Sequence, residues 1–291
     1  MSGHSRAHSR PDFLRHVGRT LIGILIYFIP IVWAAATLFA LIWVIYTSLK
    51  TNPEIFADIW ALPKGLALQN YVKAWKVSHI GSFFFNSLLV SVPAVLLTAF
   101  LASLAAYTLG RYEARWNRPI YYLFLVGMMI PVHLTLIPLF VAANSLHLGD
   151  NLPGLVIIFT AFMTPFSIFV LTSFFRSLPG ELADAALLDG CDEFGLFWRI
   201  MAPMASPGII TVSLFNFFWV WNEYILTLIM ITSPEKRTLP LGIYNLAVAS
   251  TFTVDWGALF AGLTLLMVPT LIIFVVLERR IVSGITVGAL K

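Results

Sequence analysis

Long stretches without a single charged side chain alternate along this chain with short polar ones. Runs free of Asp, Glu, Lys and Arg cover 20–49, 77–110, 119–149, 151–175, 200–222 and 256–277. A helix needs about 20 apolar residues to cross a bilayer, so each run is long enough. The fifth is expected to continue past Glu223 to Ile231. Lipid offers no partner to an unpaired backbone group, which makes each run a predicted helix. A membrane barrel would show short segments of alternating polarity, and these runs are continuous. The pattern predicts an all-α membrane protein with six transmembrane helices.

Charge orients the bundle. With the N-terminus in the cytoplasm, the inner segments hold Arg6, Arg10, Arg15, Arg19, Arg111, Arg115, Arg118, Arg176, Arg199, Arg279, Arg280 and Lys291. The outer segments hold Lys50, Lys64, Lys73, Lys76, Lys236 and Arg237, four of them on one longer loop. The excess of inner cations predicts both termini inside.

Composition agrees. The 291 residues are 59% hydrophobic and 11% charged, where a soluble domain carries roughly 25% charged residues. The net charge of +4 does not point to nucleic acid, because the basic residues lie between apolar spans and form no basic face. One cysteine, Cys191, leaves no internal disulfide and no cysteine metal cluster. The apolar run after the basic segment 1–19 is far longer than a signal peptide's core of roughly 7–15 residues, and reads as a retained helix. With no linker or internal repeat, three parts are expected: a cytoplasmic segment 1–19, one membrane domain 20–279, and a cytoplasmic tail 280–291. Pro30, Pro93, Pro131, Pro138 and Pro165 fall inside spans, where packing or hinged, pathway-lining helices would explain them.

Five of the 14 acidic residues fall between Glu181 and Glu193, in the loop 176–203. Glu181 to Leu188 reads as a short helix with acid in its first turn, complementing the dipole. Glu181 and Asp184 share a face. Asp189-Gly190 is a turn signal. Phe194, Phe197 and Trp198 then form an i, i+3, i+4 apolar stripe. The result is a helix–turn–helix at the membrane surface, with small Ala185 and Ala186 open to close approach and aromatics that pack on the bundle's helix ends. A helix merely resting on anionic lipid would carry a basic face; this one is acidic and suits a basic protein partner.

This segment resembles the E-A-A loop of ABC importer permeases. Asp184-Ala185-Ala186 stands at the E-A-A positions, and Gly190 and Pro203 match the glycine and the terminal proline. Asp184 is one methylene shorter than the usual glutamate, and Ala202 stands where a leucine commonly precedes the proline. Thr47-Ser48-Leu49-Lys50, Gln69-Asn70-Tyr71, Trp221-Asn222-Glu223 and the tail from Arg280 to Lys291 are similar to the carbohydrate branch, in particular the second membrane subunit of the maltose-type importer. The resemblance implies the type I importer permease fold, with the loop as a coupling helix. Glu181, Asp184, Ala185, Ala186, Asp189 and Gly190 would dock on an ATPase. It also implies a second homologous permease, two ATP-binding subunits that hold ATP and Mg, an extracytoplasmic solute-binding protein, and a prokaryotic inner or plasma membrane.

Within the spans, Glu223 is the one acidic residue, and intramembrane charge points by default to function. Trp219, Asn222 and Tyr224 beside it offer the apolar faces and hydrogen-bonding tips that a sugar path needs. Two readings stand: these four line a pathway, or Glu223 is structural, near the outer aromatic belt. Asn86, Asn144 and Asn216 are weaker candidates. His79, His133 and His147 lack metal-ligand spacing. There is no phosphate loop and no catalytic constellation, so the chain is expected to be non-catalytic and to bind no cofactor itself. The expected function is half of the pathway of an ATP-driven sugar or oligosaccharide importer. A polyol or phosphorylated polyol such as glycerol phosphate is the alternative solute. A secondary transporter would need an internal repeat and more midplane ionisable groups.

Overall fold

The computed structural model describes the backbone of residues 10–253 and 255–289, and the side chains of residues 26–250 and 255–276. The basic residues Arg6 to Arg19 and the tail from Arg280 to Lys291 lie outside the described side chains. Most of the described residues are helical, with no strand among them. Helix α1 spans Arg10–Ser48 and is followed by the short α2, Asn52–Ala57. Helix α3 spans Ile80–Arg111, α4 Asn117–Met129, α5 Val132–Ser145 and α6 Leu152–Ser177. The loop holds α7, Gly180–Leu188, and α8, Glu193–Leu196, which runs through a wide π turn at Phe197–Met201. Then come α9, Ser206–Asn222, α10, Ile225–Met230, α11, Leu239–Thr253, and α12, Trp256–Ala289.

Four helices, α1, α3, α6 and α12, are long and apolar enough to cross a membrane, and bent pairs raise the number to six. The third run is therefore not the single helix its composition predicts. Helices α4 and α5 meet at 103°. Pro131 is the cause: a proline disfavours the helical region in the residue before it, and Ile130 and Pro131 are both extended. Nor does the fifth run pass through Glu223. It turns by 71° between Glu193–Met204 and α9, where Pro203 and Pro207 each remove an amide donor. It then breaks at the extended Glu223 before α10. Helix α11 escapes the run count because the uncharged stretch around it is too short to cross a bilayer.

Helices α3 and α6 lie along one another at the centre, with α9 against both and α12 beyond, while α1 meets α12. Close approach is built in at Gly208, where a Cβ would stand 2.6 Å from the Phe174 ring. The core divides into two clusters. One, around Phe83, Phe159, Trp221, Leu226 and Leu239, fills the far end. The other gathers Ala102, Ala106, Tyr107, Leu171 and Phe175 with Ala183, Ala186, Leu196 and Phe197 of the loop.

The far end is tied by polar groups. Asn70 Nδ2 donates to the carbonyls of Ser48 at 2.9 Å and Lys50 at 2.7 Å. Ser48 and Tyr71 share a hydroxyl–hydroxyl bond of 2.6 Å. The two short motifs, one ending α1 and one at 69–71, are thus one staple. Asp150, held at a positive φ of 47°, accepts from the backbone amides of Thr232 at 3.0 Å and Ser233 at 2.9 Å, and pairs with Lys236 at 3.2 Å. The Ser233 hydroxyl and amide, with Lys236, hold its carboxyl well below the usual carboxylate range. His79 and His147 both take φ of 58°, which places them at turns.

Candidate functional site

The loop between α6 and α9 is a small unit closed by its own caps and packed on the bundle. Its first helix starts at Gly180 after Pro179, whose fixed geometry suits the approach to a helix. Its end is a Schellman cap. The Cys191 amide donates to the Ala186 carbonyl at 3.0 Å and the Gly190 amide to Leu187 at 3.1 Å. Gly190 sits at φ 83°, the left-handed position such a cap demands. Asp192 then caps α8, accepting from the Gly195 amide at 3.0 Å.

Packing fixes this unit to the bundle. Ala183 and Ala186 turn inward and are buried. Ala186, expected on the approachable face, instead belongs to the loop-end core, because the cap and Leu196 hold that side against α3 and α6. Phe197 is buried against Tyr107, with ring centroids 5.1 Å apart, and Phe175, at 6.2 Å. Trp198 stacks on Phe100 at 6.0 Å. Two polar ties add to this. Arg111 Nη1 donates to the Leu178 carbonyl at 3.2 Å. The Tyr112 hydroxyl donates to the Glu193 carboxylate and shares a 3.3 Å bond with Tyr107. Partial burial, and then the Glu193 carboxylate, push the Tyr112 hydroxyl well above the ordinary phenol range.

The outward face of α7 is left to solvent. Glu181, Asp184, Ala185, Asp189 and Gly190 are exposed. So are Leu182, Leu187 and, at 88%, Leu188. These leucines were not singled out by the charge pattern; the signal was a leucine pair closing a helix whose inner face already holds two alanines. Acid carboxylates around bare leucines make a surface that suits a partner with an apolar cleft and a basic rim.

The four candidates in the membrane separate. Trp219 sits edge-on to Phe159 at 5.8 Å and beside Phe162 at 6.5 Å. With Phe162, Met163, Phe166, Phe215 and Asn216 it lines a cavity of about 370 Å³ between α6 and α9. Phe215, Trp219 and Asn222, at i, i+4 and i+7, form one exposed stripe of α9. Phe215, Phe162 and Phe166 are additions that only the facing helix reveals. Trp221 turns the other way, fully buried, with its Nε1 donating to the Leu266 carbonyl at 3.0 Å. The Glu223 carboxylate does not point into the cavity. It accepts from the amides of Leu226 at 2.9 Å and Thr227 at 3.3 Å, capping α10. Tyr224 stacks on Tyr244 of α11 at 5.6 Å. Asn86 ties α3 to the connection between α10 and α11 through the carbonyls of Glu235 and Arg237. Asn216 donates to Ser167 Oγ at 2.8 Å.

Comparison with known proteins gives one consistent answer. Residues 99–287 match the model of the family described as binding-protein-dependent transport system inner membrane component. A diacetylchitobiose uptake system permease protein from Streptomyces coelicolor is 37% identical, covering 90% of this chain and 86% of its own. A sulfoquinovosyl glycerol transport system permease protein from Agrobacterium fabrum is 34% identical over 87% of this chain and 89% of its own. Among solved structures, a chain of a bacterial ABC transporter that imports alginate shares the fold, with a TM-score of 0.74 and 20% identity over 96% of this chain and 99% of that one. The chain is a membrane permease component, and it belongs to the family of inner membrane components of binding-protein-dependent transport systems.

Proposed function

We propose that this subunit forms half of the pathway of an ATP-driven importer for an oligosaccharide. A second, homologous permease would supply the other half. An extracytoplasmic binding protein would deliver the solute, and two ATPase subunits would bind ATP and Mg from the cytoplasm. The charge bias between the loops supports a cytoplasmic position for both termini. The chain itself catalyses nothing in this reading.

One observation carries the coupling role: the acid-and-leucine face of α7 stands exposed on a unit fixed to the bundle by a Schellman cap, Phe197 and the Tyr112–Glu193 bond. Such a unit passes a push from the ATPase into α3, α6 and α9 without yielding first. Glu181, Asp184, Ala185, Leu188, Asp189 and Gly190 would make the contact, with Ala186 behind it. For the solute, the groove at Trp219 offers aromatic faces plus the Asn222 amide. It is the kind of wall on which a sugar ring stacks while its hydroxyls bond. The groove's lining residues carry no cation to neutralise a phosphate, which favours a sugar over a phosphorylated polyol. Relatives whose names specify a saccharide or a glycosylglycerol support the same class.

The test is a pair of variants. Asp184→Lys and Leu188→Asp should insert at normal levels yet lose co-purification of the ATP-binding subunit and lose solute uptake. Normal uptake in both would remove the docking role. Identification of a second permease and an ATPase by mass spectrometry, after mild detergent extraction, tests the assembly.

A further inference from the structure

A second site lies beside the docking unit, at the same end of the bundle. The end of α3, the loop 112–116, the first turn of α4 and the end of α6 enclose a polar cavity of about 690 Å³. Arg111, Arg115, Arg118 and Arg176 line it, with Glu113 as the one carboxylate, so four arginines against one glutamate leave a formal +3. None of the four is in an ion pair among the described residues. Arg111 gives one bond to the Leu178 carbonyl, and Arg176 gives a 3.4 Å bond to the Leu109 carbonyl and lies 5.4 Å over the Tyr121 ring. A guanidinium has five donors, so each keeps most of its capacity. Arg115 only stacks on Trp116 at 5.0 Å.

Uncompensated arginines around a polar cavity call for an anion with several acceptor oxygens, and the fork geometry of guanidinium suits a phosphoryl group. What lies next to the cavity narrows the source. Trp116 and Tyr122 are exposed there, as an interfacial aromatic belt would be. Beyond them α4 leaves Ile120, Leu123, Val126 and Met129 exposed along its length. A headgroup pocket thus opens directly onto a bare apolar helix face of the kind that acyl chains cover.

We propose that this cavity binds the phosphoryl headgroup of one anionic phospholipid, whose chains lie along α4. The proposed orientation puts it in the inner leaflet, where a basic pocket between helices meets acidic headgroups. It needs neither the solute nor the ATPase. Failure here leaves the importer reading intact, and the reverse holds too.

The experiment uses the full chain purified in mild detergent, titrated with phosphatidylglycerol or phosphatidylcholine and read by native mass spectrometry. Phosphatidylglycerol should bind in preference to phosphatidylcholine, with one lipid retained per chain. Each arginine near the surface is worth about fivefold, so Arg115→Gln with Arg118→Gln should weaken retention by about 25-fold. Arg115→Lys with Arg118→Lys should keep most of it. Both arginines are exposed and make no hydrogen bond among the described residues, which leaves the fold undisturbed, and the wild-type lipid preference is a test that needs no variant. Equal retention of the two lipids, or full retention by the glutamine variant, overturns the proposal. Inorganic phosphate alone binding in the cavity and displacing the lipid at millimolar concentration also overturns it, in favour of a soluble anion.

Discussion

Replacing Phe197 by alanine tests whether the docking unit is held by its core side or only by its chain connections. The ring is 4% exposed and meets Tyr107 and Phe175. Removing a buried Phe ring costs about 3–5 kcal/mol. That loss falls on the seat of α7 and α8, because α3 and α6 keep their long mutual contact. The local opening free energy should fall by about that amount, and amide exchange in 182–204 should quicken by at least about 100-fold. Phe194, three residues away and 71% exposed, is the control: Phe194→Ala should leave exchange nearly unchanged. The assay is hydrogen–deuterium exchange on reconstituted protein, segment by segment. Equal exchange in the two variants would refute the reasoning, since the seat would then not depend on the buried ring. In the assembled importer, Phe197→Ala should also lower solute moved per ATP hydrolysed, with hydrolysis itself continuing.

Other consequences can be checked separately. Asn70→Ala leaves the carbonyls of Ser48 and Lys50 without their donor; at about 1–3 kcal/mol for a buried unsatisfied group, thermal unfolding in detergent should begin several degrees lower. Asp150 is depressed in the folded state, so its clamp contributes above the ordinary aspartate value of about 3.9 and is lost as pH falls through the lower folded value. Exchange at the Thr232 and Ser233 amides should rise with acid below that point, and Asp150→Asn should abolish this acid dependence. Trp219→Ala should raise the half-saturating solute concentration or cut uptake by about tenfold, the scale of one aromatic contact, with Trp219→Phe in between; uptake unchanged in both would take Trp219 off the path.

The ends of α7 were legible because local chemistry sets them: Pro179 before, acid in the first turn, Asp189-Gly190 after. Which side of that helix faces inward was not. Ala183, Ala185 and Ala186 give it small residues on two sides, and the choice is made by the cap and Leu196, which hold one side against α3 and α6, remote in sequence. The stripe of Phe194, Phe197 and Trp198 looks uniform at a helical period. The π turn beginning at Phe197 widens the helix there, and only Phe197 becomes buried. Charge-free length found the spans but could not see their bends. Pro131 was visible as a proline without its 103° angle. The break at Glu223 carries no proline or glycine, and its one mark is the carboxylate itself. That residue drew notice as a rare intramembrane acid, and it serves as the cap of a half-helix. The aromatic groove at Trp219 needs α6, more than 50 residues upstream, to supply its other wall.

Helix α1 has a further consequence. In its crossing segment, Ile26–Thr47, the most apolar stretch has no residue buried against the rest of the chain, while Thr47, Ser48 and Lys50 at its far end are fully buried. The chain is therefore a bundle with a mast: a crossing bare along its first half, stepped into the hull below that by the Trp43–Phe260 contact with α12 and at its foot by the Asn70 staple. Such a mast can be rebuilt. A foreign hydrophobic segment of equal length, replacing the exposed stretch ahead of Phe39, should leave the bundle standing, and sequence drift along 26–38 should be limited by lipid and neighbouring subunits rather than by the protein's own interior.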